Sequence, residues 1–275
     1  MASVVVNGDT SGAVTLSAPA VAGTVTVTLP ATSGTMLTTA STTGISGSAI
    51  SSGTVPEAYG GTGTSTGYYG FKNRIINGAM VIDQRNAGAS ITPSGTSQFS
   101  VDRWVNFTTQ SGKYSTQQRS TDSSASNYEA GSAPAGFVNS IKITSLSAYS
   151  ITSGDEFNIL QQIEGYNIAD FAWGTASAST VTLSFWVKSS LTGTFGGALQ
   201  NNAQTRAYPF SFTINAANTW EQKSIIIAGE TSGAWVVNNG IGVKVAWGLG
   251  VGSTFSATAG AWATGNYWSS TGATS

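Results

Sequence analysis

Neither histidine nor cysteine occurs in this 275-residue sequence. That removes disulfides, Cys/His zinc sites, and Ser–His–Asp or Cys–His nucleophilic machinery. Paired carboxylates remain as a catalytic route, one acting as acid and the other as base or nucleophile, as in glycoside hydrolysis. The acidic residues after residue 71 include Asp83, Asp102, Asp155, Glu156, Glu164, Asp170, Glu221 and Glu230. Asp155 and Glu156 follow Gly154 in text that reads as a turn. Asp83 and Asp102 each stand near an arginine (Arg85, Arg103), which suits structural ion pairs. Glu164 and Glu221 fall in strand-like segments, so the sequence reads as non-enzymatic. No D-x-D-x-D cluster occurs, so no metal ligand and no cofactor are expected.

Aromatic side chains offer a different chemistry. Sugars present apolar C–H faces that stack on indole and phenol rings, while neutral amides hydrogen-bond their hydroxyls. Trp262, Asn266, Tyr267 and Trp268 lie in AWATGNYWSSTG, where strand alternation gives no reason to bury rings. Trp186 lies on the polar side of TVTLSFWVK. These five residues are the candidate ligand-binding set. Trp247 and Phe185 fall on apolar faces and are expected in the core.

The elements that must position these residues are β-strands. In Thr180–Lys188, Val181, Leu183, Phe185 and Val187 alternate with Thr182, Ser184, Trp186 and Lys188. Tyr208, Phe210, Phe212 and Ile214 alternate in Arg206–Ile214, where Pro209 restricts the strand to an edge. Ile241–Leu249 alternates likewise, and weaker strand signals lie at 113–119, 137–144, 157–164 and 220–228. Apolar runs at 75–82 and 99–107 are expected to form the first two strands of the domain. A short helix is expected at Asn167–Ala172, with Ile168, Phe171 and Ala172 on one face. About eight or nine strands, each with one apolar face, predict a two-sheet sandwich over 71–275.

The first 58 residues differ. They carry Asp9 and Glu57 as their charged side chains and have no aromatic residue before Tyr59. Segments 13–17 and 24–29 show β-branched alternation, but such a thin chain cannot offset its own ordering entropy with buried area. It is either disordered or ordered against copies of itself, and the alternation favours the second. The Gly-rich stretch 59–70 reads as a linker, flexible or tightly wrapped.

Composition restricts the setting further. Eleven basic residues against twelve acidic ones give a net charge of −1, which offers no electrostatic pull on nucleic acid or anionic membrane. No secretory leader is visible in the first thirty residues, and no apolar run approaches the roughly 20 residues needed to span a bilayer. Asn106-Phe107-Thr108 matches a glycosylation acceptor by chance composition.

Three passages, taken in order, resemble bacteriophage tail-fibre proteins. GDTSGAVTLSAPAVAGTVTVTLPATSGTM is similar to the Thr/Ala-rich repeats near fibre N-termini, and GTVPEAYGGTG (53–63) to shaft segments. NRIINGAMVIDQRNAG, followed by SVDRW, resembles the opening of a jelly-roll module of carbohydrate-binding form. QQIEGYNIADFAWG, TLSFWVKSS, NTWEQKSIIIAG and WGLGVGSTF fit the same module. The resemblance implies an all-β chain: a fibrous β-rich arm and shaft (1–58), a linker (59–70) and an antiparallel jelly-roll β-sandwich (71–275). Related chains usually continue past Ser275 into a strand carrying Gln-Leu-Glu, which implies a sandwich lacking its last strand or closing differently.

It further implies a virion component, assembled in the host cytoplasm as a homotrimer and acting outside the cell. The arm would contact other tail proteins, and the module would bind host-surface polysaccharide or a neighbouring tail protein. The competing expectations are a polysaccharide-degrading tail enzyme and a connector without ligand.

Overall fold

The structure is a computed structural model that describes residues 3–7, 13–17, 72–95 and 97–274. The chain divides into two compact units, Met1–Gly70 and Phe71–Ser275. In the first unit β1 (Ser3–Asn7) pairs antiparallel with β2 (Ala13–Ser17), with Ser3 opposite Ser17 and Asn7 opposite Ala13. The strand expected at 24–29, the remainder of the 1–58 arm and the 59–70 linker lie outside the described residues.

The second unit is built on antiparallel strands. In chain order they are β3 (Gln98–Phe99), β4 (Trp104–Thr108), β5 (Tyr114–Ser120), β6 (Asn139–Ser145), β7 (Glu156–Glu164) and β8 (Val181–Val187). Then follow β9 (Gly193–Asn201), β10 (Arg206–Ile214), β11 (Glu221–Ile227), β12 (Ile241–Val251), β13 (Ser256–Ala257), β14 (Ala263–Thr264) and β15 (Ser269–Ser270). Seven of them form one sheet in the order β14-β10-β9-β12-β7-β4-β3. β8 pairs with β11 and β5 with β6 in two antiparallel ribbons, while β13 and β15 form a short parallel pair. The architecture is all-β with several antiparallel sheets.

Alternation decides which side of the large sheet each residue serves. Ile159, Ile163, Leu199, Phe210, Val243 and Val245 point to one face, where they are buried. The β8–β11 ribbon sets Leu183 and Ile227 on that face, with Phe185 edge-on to Phe212 at 5.0 Å and to Trp247 at 5.4 Å. The β5–β6 ribbon packs Ile141 and Ile143 beside Trp104, Ile159 and Met80, and Trp247 touches both clusters. Both ribbons therefore cover the same face, and the exclusion of water from these rings and branched chains drives the layering. The opposite face carries Val105, Leu160 and Ala246, covered by Trp268 from the C-terminal segment.

Two expectations need correction, and one strand was not expected. Residues 75–82 form turns rather than a strand, because Asn77 (φ 54°) and Met80 (φ 55°) take left-handed backbone. The Asn77 side chain satisfies that loop locally, accepting from Ile82 N and donating to the carbonyls of Ile82 and Asp102. Completely buried Gln161 clamps the segment to the sheet, exchanging two 2.8 Å bonds with the Ile76 backbone. The helix expected at 167–172 is instead two 3-10 turns, Gly165–Asn167 and Ala169–Phe171, broken at Ile168 (φ −125°). Finally, β9 (GTFGGALQN) escapes strand patterning because it is rich in glycine. A Cβ at Gly197 would sit 2.3 Å from the Ala246 carbonyl oxygen and 2.4 Å from the Phe210 ring, so packing demands the residue that propensity disfavours.

Pro209 sits in β10, which has β9 on one side and only the two-residue β14 on the other. Its carbonyl accepts from Gly260 N, so its missing donor faces away from β9.

Candidate functional site

Alternation in β8 turns Trp186 outward, where it is 39 % exposed. Gln222 of β11 lies directly opposite, Ser184 faces Ser224, and Thr182 faces Ile226. All six side chains are exposed, and none of them is ionisable. The ring offers a stacking surface, and the flanking amide and hydroxyls can give and accept hydrogen bonds. Beside this face, Lys188 Nζ and Trp220 Nε1 both donate to the Gly131 carbonyl, at 2.6 and 3.1 Å. The ammonium also lies 5.2 Å from the Trp220 ring centroid, so one end of the ribbon is pinned to the 121–138 connection.

The C-terminal candidates do not form one patch. β14 runs along the β10 edge, and the chain passes around that edge from one sheet face to the other. On the first side Trp262 joins Trp173 and Trp235 in a mutual edge-to-face cluster with centroids 4.8, 5.2 and 5.5 Å apart. It also meets Tyr208 at 5.3 Å, and its indole N–H donates to the Ala228 carbonyl at 2.7 Å. Its ring is half-buried packing material with its polar handle already used.

On the opposite side Trp268 is 4 % exposed among Val105, Leu160 and Ala246. Between these rings, Asn266 Oδ1 and the Tyr267 carbonyl each accept from buried Gln200 Nε2 at 2.8 Å. Tyr267 is half-buried against Gly265, whose φ of 141° and close ring approach exclude a side chain. Loop-like text thus turned its rings inward because the chain crosses a sheet edge, a long-range contact that no local period records.

The carboxylates are occupied by the fold. Asp83 accepts from Asn86 N and Gly88 N, and Asp102 from Gln84 N with Arg85 at 3.5 Å. Asp155 accepts from Thr152, Tyr149, Thr109 and Gln110. The Thr152 backbone and hydroxyl donors hold its carboxyl below the usual range. Glu164 pairs with Arg103 at 2.6 Å, Asp170 with Arg74, and Glu221 with Lys223 at 2.6 Å. Glu230, 3 % exposed, takes two bonds from Arg206. Burial pushes Glu156 up to about 7, against the pull of Asn158 and of Lys244. Lys244 itself is held below its ordinary value by burial, and its Nζ lies 5.8 Å from the Trp268 ring centroid. Among the described residues no three or more Asp and Glu side chains gather in a metal-binding arrangement.

A further concavity lies at the β4–β3 end of the sheet. Phe99, 38 % exposed, pairs in register with Val105 and borders two depressions of about 570 and 150 Å³. The smaller is lined by Arg103, Gln162, Glu164 and Asn239 among others, the larger by Arg85, Asn86, Thr92 and Gln98. Sequence reasoning missed this site because Arg103 owes its direction to a left-handed backbone (φ 76°) that no motif announces. No family model matches this chain, and no curated protein matches it at a significant level.

Proposed function

We propose that this chain is a structural component of a bacteriophage tail fibre. In this reading the second unit is a jelly-roll β-sandwich that binds uncharged glycan on the host surface, and it works without catalysis. The first unit is a fibrous arm that orders within a homotrimer and joins other tail proteins. Light scattering of the full chain should then give three subunits, and a monomer would refute that part.

The observation that carries the binding role is the outward face of β8 and β11. There an exposed Trp186 stands beside Gln222, Ser184 and Ser224, uncharged groups able to hydrogen-bond a neutral ligand. Exposed indoles supply contact area at low entropic cost, and flanking amides and hydroxyls supply direction. The test is an array of bacterial surface polysaccharides probed with the full chain and with Trp186→Ala. Wild type should be retained on at least one polysaccharide, and the substitution should weaken retention at least about tenfold, the equivalent of ~1.4 kcal/mol. Retention unchanged by the substitution, or shortening of the polysaccharide by the protein, would refute the reading.

A further inference from the structure

The depression beside Arg103 has features that the fold does not need. Arg103 holds φ 76°, a left-handed conformation that a residue with a side chain rarely adopts. A tight turn maintains it, with Trp104 N donating to the Val101 carbonyl at 2.9 Å and Ser100 N to the Trp104 carbonyl at 3.3 Å. The turn sends the guanidinium from the start of β4 onto neighbouring β7, where Nη2 donates to the Gln162 carbonyl at 3.1 Å and to Glu164 Oε1 at 2.6 Å. Arg103 Nε is buried and has no acceptor among the described residues. The Gln162 and Asn239 side-chain amides line the same depression and make no hydrogen bond among the described residues. The Arg103–Glu164 fork is held in place, with Glu164 Oε2 accepting from Asn167, while Arg103 Nε and the two amides keep hydrogen-bonding capacity open to a ligand.

Charge narrows the ligand. Arg103 is balanced by Glu164, and across the Phe99 ring Arg85 is balanced by Asp102. The Arg103–Glu164 pair leaves the smaller depression without an uncompensated cation for a phosphate, sulfate or uronate. Arg85 also lies 4.9 Å from the Phe99 ring centroid, and the ring borders both hollows. The smaller hollow is of pyranose size, and the larger has the volume of more than one unit. One exposed ring between two amide-lined hollows suits a chain of sugars, whose C–H faces stack while their hydroxyls bridge amides and an Arg–Glu fork.

We infer that this groove binds a neutral oligosaccharide, with Phe99 stacking on one unit and Arg103, Gln162, Glu164 and Asn239 holding the hydroxyls of the unit beside it. The inference rests on the reading that the second unit recognises glycan, but it assigns a different surface from the Trp186 face.

Calorimetric titration of the full chain with cellohexaose, maltohexaose and a hexamer of galacturonic acid tests it. At least one neutral hexamer should bind, and the acidic one should bind at least tenfold more weakly. Phe99→Ala and Arg103→Gln should each weaken the neutral hexamer at least tenfold, and Phe99→Tyr should restore it, with the urea midpoint of Phe99→Ala close to wild type. Trp186→Ala should leave this affinity unchanged. The inference is overturned if no neutral hexamer binds, or if Phe99→Ala and Arg103→Gln bind as wild type does. If array retention falls with Trp186→Ala but not with Phe99→Ala, this groove is refuted while the proposed function stands.

Discussion

Replacing Glu156 by glutamine should stabilise the protein in alkaline solution and do little in acid. Glu156 is 5 % exposed, lies on the same side of β7 as Leu160, and accepts from Asn158 Nδ2 at 2.7 Å. Burial raises its carboxyl from 4.5 to about 7. The folded protein thus holds this proton more tightly than the unfolded chain does. The resulting contribution is complete below pH 4.5 and is lost as pH rises through 7, at about 1.4 kcal/mol per pH unit. Across that window the loss amounts to about 3 kcal/mol. Glutamine keeps the acceptor for Asn158 and never ionises, but it deprives half-buried Lys244 of a compensating charge. That attraction is already contained in the value of about 7, so the net gain expected at pH 8.5 stays at ~3 kcal/mol, against less than ~1 kcal/mol at pH 5. Urea unfolding of both proteins at both pH values measures the difference directly, because every other titrating group is shared. A gap of equal size at the two pH values would refute the assignment. So would a less stable variant at pH 8.5, since the ammonium–carboxylate attraction would then outweigh the cost of burial.

Two further stability predictions bear on face assignment and on ion pairing. Trp268→Ala should cost about 3–5 kcal/mol in urea unfolding, as for other buried rings, whereas Trp186→Ala should cost less than about 1 kcal/mol; equal losses would show that one ring is on the wrong side. Arg206→Ala should cost about 3–5 kcal/mol by leaving Glu230 buried without its guanidinium, and adding Glu230→Gln should recover part of that loss; full additivity of the two would refute the pairing.

Where sequence and structure agree, local alternation was enough. Leu183 and Phe185 turn inward and Trp186 outward in β8 because a strand's period of two is a property of its own backbone. The same rule places Phe210 and Ile214 in the core from β10. Local patterning failed where distant contacts decide. Gly197 belongs to a central strand because Phe210 and Ala246 need the space a side chain would take. Trp262 and Trp268, six residues apart in Gly/Ser/Thr-rich text, reach opposite faces because β14 follows the β10 edge between them. Of the candidate ligand-binding residues, Trp186 alone was legible as an exposed ring. The Phe99–Arg103 groove depends on a left-handed arginine, which composition and period do not register.

The order of strands in the seven-stranded sheet sets how the domain must assemble in time. At its centre β12 lies between β9 and β7, and β7 in turn pairs with β4, so each central partner comes from a distant part of the chain. The β9–β10 and β5–β6 pairs can zip locally, but the sheet cannot close until β7 and β12 meet across everything between them. Loops of that size must close before their contacts reward them, so folding is expected to be slow for a domain of this length. The same barrier acts in reverse. Once Trp247, Phe185 and Trp104 are locked over β7 and β12, escape requires the longest-range pairings to part together, giving the domain persistence through a high unfolding barrier.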